Sequence, residues 1–567
     1  MNGTEVMHMP STTDQSNDLR IGVFICDCGS NIAGHLNCRE VTEYAATLPG
    51  VALAKENLYT CSEAGIQEIK KAIQEHNLNR VVVASCSPRT HQPLFSSSCA
   101  EAGLNPYLFE MVNIRDQCSW VHMGNQEGAT DKAKELVRMG VAKSANLEPQ
   151  QDIISSLVPR ALVIGAGIAG MSAAQSMADM GLEVVLLDKA SKLGGVVRAL
   201  NRIGPSGALA QERMDPLIQA VTQHPNITLY TGAQVKHVGG YIGNYTVTFD
   251  NQDQQTQQEE VGCIVVATGA LPLTPEGQFG YNGKDVITQM ELESRLKQGE
   301  VNARRVVMIQ CVGARDSDRE YCSRICCLTA VKNALLLKKD NPEAQVHILY
   351  RDMQMYGTSR EQLLWEARGE GIDFSVYDPA RPPQVDQGQV RFYHSLLGRE
   401  VDFDSDLIVL STPLVARQDA ALISRIMRVP TDQNGFFLEA HAKLRPLDFA
   451  ADGIFVCGSA RYPACVDEAR AQGIGVASRV GTVLFKDQLV SSAIVAEINP
   501  QTCVGCLGCL DVCPYQAISY DPEGKICRIN DILCKGCGNC AATCPSESAQ
   551  LRGFKPSQLL SQIRAAA

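Results

Sequence analysis

"ALVIGAGIAGMSAAQSMADMGLEVVLLDK" occupies residues 161–189 and decides how the middle of the chain folds. An apolar strand runs into Gly165-x-Gly167-x-x-Gly170, a helix and a second strand follow, and Asp188 closes the unit. Gly165 permits the tight turn, Gly167 lets a pyrophosphate approach the backbone, and Gly170 lets helix and strand pack closely. The helix N-terminus then meets the ligand's negative charge, and Asp188 is placed to bind a ribose hydroxyl. Such a unit predicts a dinucleotide-binding α/β domain.

Around this unit the chain has 567 residues, more than one hydrophobic core accommodates, so several domains are expected. Its 51 basic and 62 acidic residues give a net charge of -11, with no cationic surplus for nucleic acid. No apolar run approaches the roughly 20 residues of a membrane span, and the polar start lacks a signal-peptide core. A cytoplasmic protein with a disordered leader over residues 1–20 is expected. The 23 cysteines therefore point to metal binding, because thiols in such a compartment stay reduced.

Residues 21–150 alternate strand patterns ("RIGVFIC", "NRVVVASCSP") with helical ones ("SEAGIQEIKKAIQEHN"), which predicts a small α/β domain. Cys26, Cys28, Cys61 and Cys86 fall at or just past its strand ends, where a shared metal site and ordinary loop thiols both fit. Arg89 and His91, just after Cys86, read as a surface loop or a contact with cofactor or partner.

Residues 493–567 differ in composition. They hold Cys503-x2-Cys506-x2-Cys509-x3-Cys513-Pro and Cys534-x2-Cys537-x2-Cys540-x3-Cys544-Pro. Each run has the bacterial ferredoxin spacing, in which the fourth cysteine serves the other cluster. Cys503, Cys506, Cys509 and Cys544 are thus predicted to hold one 4Fe-4S cluster, and Cys534, Cys537, Cys540 and Cys513 the second. Cys527 lies outside both runs and reads as a buried thiol.

Three further pieces, "LGGVVRAL" (193–200), "GCIVVATGALP" (262–272) and "GIFVCGSARYPACVDEARAQG" (453–473), resemble recurring parts of the two-dinucleotide flavoproteins that include thioredoxin reductase. The resemblance implies FAD in the first unit, held by Gly165, Gly167, Gly170, Asp188, Lys189, Gly194, Gly195, Thr268, Gly269 and Gly458. It makes 151–300 with 405–492 the flavin domain and 301–404 the second nucleotide domain. There the strand "RRVVMIQ" leads into "CVGAR" and not into a glycine turn, so NADPH is not expected to bind. The stretch "QCVGARDSDREYCSRICC" (310–327) offers four thiols instead, and their spacing is not that of a redox Cys-x-x-Cys. An iron-sulfur cluster beside the flavin and a set of buried thiols both remain open. Arg315, Asp316 and Arg319 read as solvated charges.

Taken together with "GVFICDCGSNIAG", "RVVVASCSPRTHQPLF" and "AGLNPYLFEMVNIRDQCSWVH", these motifs resemble the A subunit of heterodisulfide reductase, over nearly everything after residue 20. The resemblance implies an oxidoreductase component with FAD and at least three 4Fe-4S clusters, the third on Cys311, Cys322, Cys326 and Cys327, and the amino-terminal thiols as candidates for a further one. It places Lys332 near the flavin N5 position. It implies electron bifurcation or confurcation with ferredoxin and a disulfide-type acceptor, B- and C-like partner subunits, an electron-donor subunit or dehydrogenase, and a homodimeric core. One departure is plain: "RALNRIGPSGALAQERMDPLIQAV" runs on where many members carry an inserted ferredoxin domain.

Overall fold

In a computed structural model, which describes residues 19–567, the amino-terminal alternation becomes a parallel sheet of four strands in the order Val51–Leu58, Ile21–Asp27, Arg80–Ser85, Phe109–Asn113. The first 18 residues of the expected leader lie outside the described residues. Ile21, Val23 and Ile25 face the helices Cys38–Ala45 and Gln126–Ser144, while Phe24 faces Glu63–Glu75 and Pro88–Glu101. A strand covered on both faces must be apolar throughout, which is how "IGVFIC" reads. Arg89 and His91 belong to the helix Pro88–Glu101, so the surface-loop reading of that stretch is corrected; Ser87 and Pro88 supply a helix start that the following polar residues obscured.

The same unit contains the tail, for residues 19–154 and 490–567 group together and 155–489 form the second unit. The tail builds two antiparallel pairs, Ala496–Ile498 with Ala549–Leu551 and Ile518–Asp521 with Ile526–Ile529. Its last helix, Pro556–Ala566, lies against Gln126–Ser144 and the residues just after it. Gln558 Nε2 donates to the carbonyl of Asn146 at 2.9 Å, and Lys555 Nζ pairs with Glu148 at 2.7 Å.

The second unit has two parallel sheets of five strands. One runs Ile227–Thr231, Glu183–Asp188, Arg160–Ile164, Cys263–Val266, Ile454–Val456, with the helices Ile168–Asp179 and Val466–Leu484 packed together on one face. The other runs Val286–Thr288, Leu407–Leu410, Arg305–Ile309, Gln345–Tyr350, Asp373–Val376. One face of that sheet buries Val306 and Met308 against the helices Gln289–Gln298 and Cys326–Asp340; the other buries Val307 and Ile309 against a small antiparallel sheet that carries Val390 and Phe392. In both sheets the strands' carboxyl ends, where parallel α/β folds place ligands, carry the chemistry-bearing motifs.

Candidate cofactor and cluster sites

A cavity of about 720 Å³ opens in the second unit, within the size range of cofactor sites. Its wall includes Gly165, Gly167, Asp188, Lys189, Gly194, Gly195, Thr268 and Gly269. The three fingerprint glycines have separable duties. At Gly165 φ is +109°, and a Cβ there would lie 2.4 Å from the Ala267 carbonyl oxygen; at Gly170 a Cβ would lie 1.8 Å from the Gly165 oxygen. A Cβ at Gly167 would meet no protein atom within 4 Å, so that glycine leaves room for a ligand. The cradle fits a dinucleotide pyrophosphate. Asp188 accepts from the backbone N–H of Ala166 at 2.5 Å and of Ala190 at 2.7 Å, which fixes the loop's shape. Gly458 stands outside the wall and packs on Ala169.

These contacts predict different outcomes for two conservative changes. Gly170→Ala is expected to disrupt the turn and lose both flavin and thermal stability. Gly167→Ala is expected to lose flavin while the flavin-free protein melts at the wild-type temperature, as read by flavin extraction and calorimetry.

The cavity's other end is formed by the helix Cys326–Asp340 and contains Lys332, Leu328 and Thr329. Lys332 is 5% exposed; its Nζ donates to the Arg202 carbonyl at 3.0 Å and forms an ion pair with Glu293, which is 0% exposed. Burial pushes the Lys332 pKa down and Glu293 opposes that. An ammonium has three donors, so with two engaged one is left for a ligand in the cavity. Glu293 carried no signal in the sequence, since it lies 39 residues from its partner in a helix without a motif.

Just past the strand Arg305–Ile309 comes Cys311, at φ +62°, and Cys326 opens the helix whose next residue is Cys327. Burial raises the pKa of the Cys311, Cys326 and Cys327 thiols, that of Cys327 to about 12, and Cys322 is near enough to add to each. A cluster bound by these thiols would have to displace their protons. The surroundings fit a missing group: the side-chain oxygen and nitrogen of Gln310, which is 0% exposed, have no hydrogen-bond partner, nor has Arg315 Nη1. Arg315 is also not the solvated residue its sequence context implies, because its Nη2 pairs with Asp352 at 2.6 Å and Nη1 is buried.

In the tail, one small pocket is lined by Cys503, Cys506, Cys509 and Cys544, and a second by Cys513, Cys534, Cys537 and Cys540. The fourth cysteine of each run thus crosses to the other pocket. Cys527 is buried in the wall of the first. Burial would raise Cys544, but hydrogen bonds from Ser548, the Ala549 N–H and Ser546 outweigh it and hold its pKa at about 7. Among the described residues no three Cys, His, Asp or Glu side chains close around a single metal ion.

The sheet of the first unit brings Cys26, Cys28, Cys61 and Cys86 to one edge, where Cys26 feels Cys28 and Cys61, and Cys86 feels Cys61. The Thr60 N–H donates to Cys26 Sγ at 3.4 Å. Buried side-chain groups of Asn57, Thr60 and Ser85 on the same strand ends have no partner.

Comparison with known proteins explains these constellations. Residues 159–473 match the family described as pyridine nucleotide-disulphide oxidoreductase, and 502–548 match the 4Fe-4S dicluster domain. The chain is 37% identical to an iron-sulfur A subunit of the CoB--CoM heterodisulfide reductase of Methanopyrus kandleri, over 89% of this chain and 92% of that one. The chain belongs to the family of heterodisulfide reductase A subunits. A second member, the A subunit of the H(2):CoB-CoM heterodisulfide,ferredoxin reductase of Methanothermobacter marburgensis, is 36% identical over 96% of this chain and 97% of its own. Thioredoxin reductase from T. acidophilum aligns over 58% of this chain and 99% of its own, at 16% identity and a TM-score of 0.40. As a member of this heterodisulfide reductase family, the chain is an oxidoreductase component with a flavin-type domain and a 4Fe-4S dicluster domain, and the expectations of α/β class, FAD and 4Fe-4S clusters hold. No helix among the described residues is long and apolar enough to cross a membrane.

Proposed function

We propose that this protein divides electron pairs at its flavin cavity, sending single electrons toward ferredoxin and toward a disulfide-type acceptor of higher potential. It does so in the cytoplasm, with B- and C-like subunits, a second copy of itself and an electron-donating partner. The observation carrying this reading is that the helix beginning at Cys326 and Cys327 also presents Lys332 to the cavity that fits a dinucleotide. FAD, when bound, supplies an acceptor of electron pairs that can release them one at a time. The protein's own part is positional: the fingerprint loop seats the pyrophosphate, Lys332 Nζ directs its remaining N–H into the cavity, and Leu328 and Ile325 exclude water there.

Cys311, Cys322, Cys326 and Cys327 would hold the cluster beside this cavity, and the two crossed sets in the tail would hold two more. A fourth cluster belongs to Cys26, Cys28, Cys61 and Cys86, a reading supported by their convergence and by the partnerless groups of Asn57, Thr60 and Ser85. Anaerobic iron analysis is then expected to give about sixteen irons per chain. A value near twelve removes the amino-terminal cluster.

A second reading, a relay that does not divide electrons, is favoured by one observation. Where many members insert a ferredoxin domain, this chain makes only the short pair Arg202–Ile203 and Ala208–Leu209 before the helix Ala210–Gln223. With partner subunits added, ferredoxin reduction is expected to require the high-potential acceptor at the same time; reduction without that acceptor favours the relay.

A further inference from the structure

Gln310 stands where the sheet of the second unit hands over to the cysteine loop. Its N–H donates to the Leu349 carbonyl at 2.9 Å and its own carbonyl accepts from Tyr377 Oη at 2.8 Å, so the backbone is fully engaged and still extended. Side chains alternate along a strand, which puts Gln310 on the face of Val306 and Met308. That face packs on Cys327 and Val331 of the helix Cys326–Asp340. The amide is thus fully buried on the face that also packs Cys327, with both polar atoms unpaired.

Such an arrangement is expensive in a core. A buried polar atom without a partner is destabilising, a cost that a leucine at the same place would avoid. Arg315 repeats the pattern from the other side of Cys311: Nη2 is held by Asp352 at 2.6 Å, and Nη1 is buried with no acceptor. Gln310 precedes Cys311 in the chain, and the Arg315 guanidinium is close enough to act on the Cys311 thiol. Gln310 Nε2 and Arg315 Nη1 have no acceptor in the protein, and both belong to the loop and strand end that supply Cys311.

We propose that Gln310 and Arg315 are positioning residues that donate N–H hydrogen bonds to the sulfur of the cluster held by Cys311, Cys322, Cys326 and Cys327, and thereby raise its reduction potential. The inference rests on the cluster reading of that site given above. Reduction adds negative charge to the cluster, and hydrogen bonds to its sulfurs stabilise the charge gained, so donors favour the reduced form. Their effect sets how readily an electron passes between the flavin cavity and this cluster. Tail clusters, with other neighbours, are untouched.

The test uses the full chain and its own clusters. Gln310→Leu and Arg315→Lys are titrated electrochemically, followed by electron paramagnetic resonance and iron analysis. The expected result is unchanged iron, one reduction wave moved to lower potential and all others in place. A tenfold loss in the reduction equilibrium for Gln310→Leu corresponds to about 59 mV. Unchanged iron with every wave in place overturns the proposal. Should Gln310→Leu lose iron, the Arg315→Lys wave decides: a lower potential supports the proposal and an unmoved one overturns it. Wild-type iron near eight would instead refute the cluster reading itself.

Discussion

Cys327→Ala is expected to lose about four irons, or to retain a three-iron centre, while both tail clusters and the flavin stay in place. The reason is segregation of ligands. The tail pockets draw their cysteines from 503–544 alone, and the flavin cavity from the fingerprint loop and its neighbours, so neither shares a thiol with the loop at 311–327. Cys327 sits at the second position of the helix that presents Lys332 to the cavity, and its Sγ approaches the Asp352 carbonyl at 3.8 Å, so the variant leaves the helix start intact. Electron passage between flavin and partner subunits should stop. Iron counting, resonance spectra and flavin extraction on the same preparation check this, and unchanged iron and electron transfer would refute the assignment.

Lys332→Ala carries the second large effect. It strips the countercharge from Glu293, whose side chain is fully buried, and breaking a buried pair from one side costs about 3–5 kcal/mol. Urea unfolding followed through flavin release should show that loss. The pair Lys332→Ala with Glu293→Gln should regain most of it, because no uncompensated charge remains. The flavin potential, however, should stay displaced in the double variant, since the donor directed into the cavity is gone in both. A potential that returns to the wild-type value in the double variant would reduce Lys332 to a structural role.

What could be read in the sequence follows from the range of the interactions. The glycine turn at 165–170 and the ferredoxin runs are local devices in which spacing dictates geometry: the turn is too crowded for a Cβ at Gly165 or Gly170, and the cysteines of the runs line two small pockets. The crossing of Cys513 and Cys544 is also encoded, because the two runs repeat one pattern. Glu293, by contrast, is an ordinary acid of an amphipathic helix until Asn201, Arg202 and Lys332 fold around it. Arg315 reads as solvated because a charge beside aspartates in a loop usually is; in the fold its Nη2 pairs with Asp352, from a different strand end, while Nη1 is buried. Gln310 escaped notice for the opposite reason. A polar residue at a strand end raises no suspicion until its burial and lack of partners are seen.

Residues 19–154 and 490–567 belong to one folding unit, and the flavin unit is spliced between them over 155–489. Synthesis from the amino end therefore delivers the whole flavin unit before the helix Pro556–Ala566 exists to cover Gln126–Ser144. The helix Gln126–Ser144 keeps one face bare until residues 556–566 have been made. The order of the segments along the chain thus sets the order in which the two units can close.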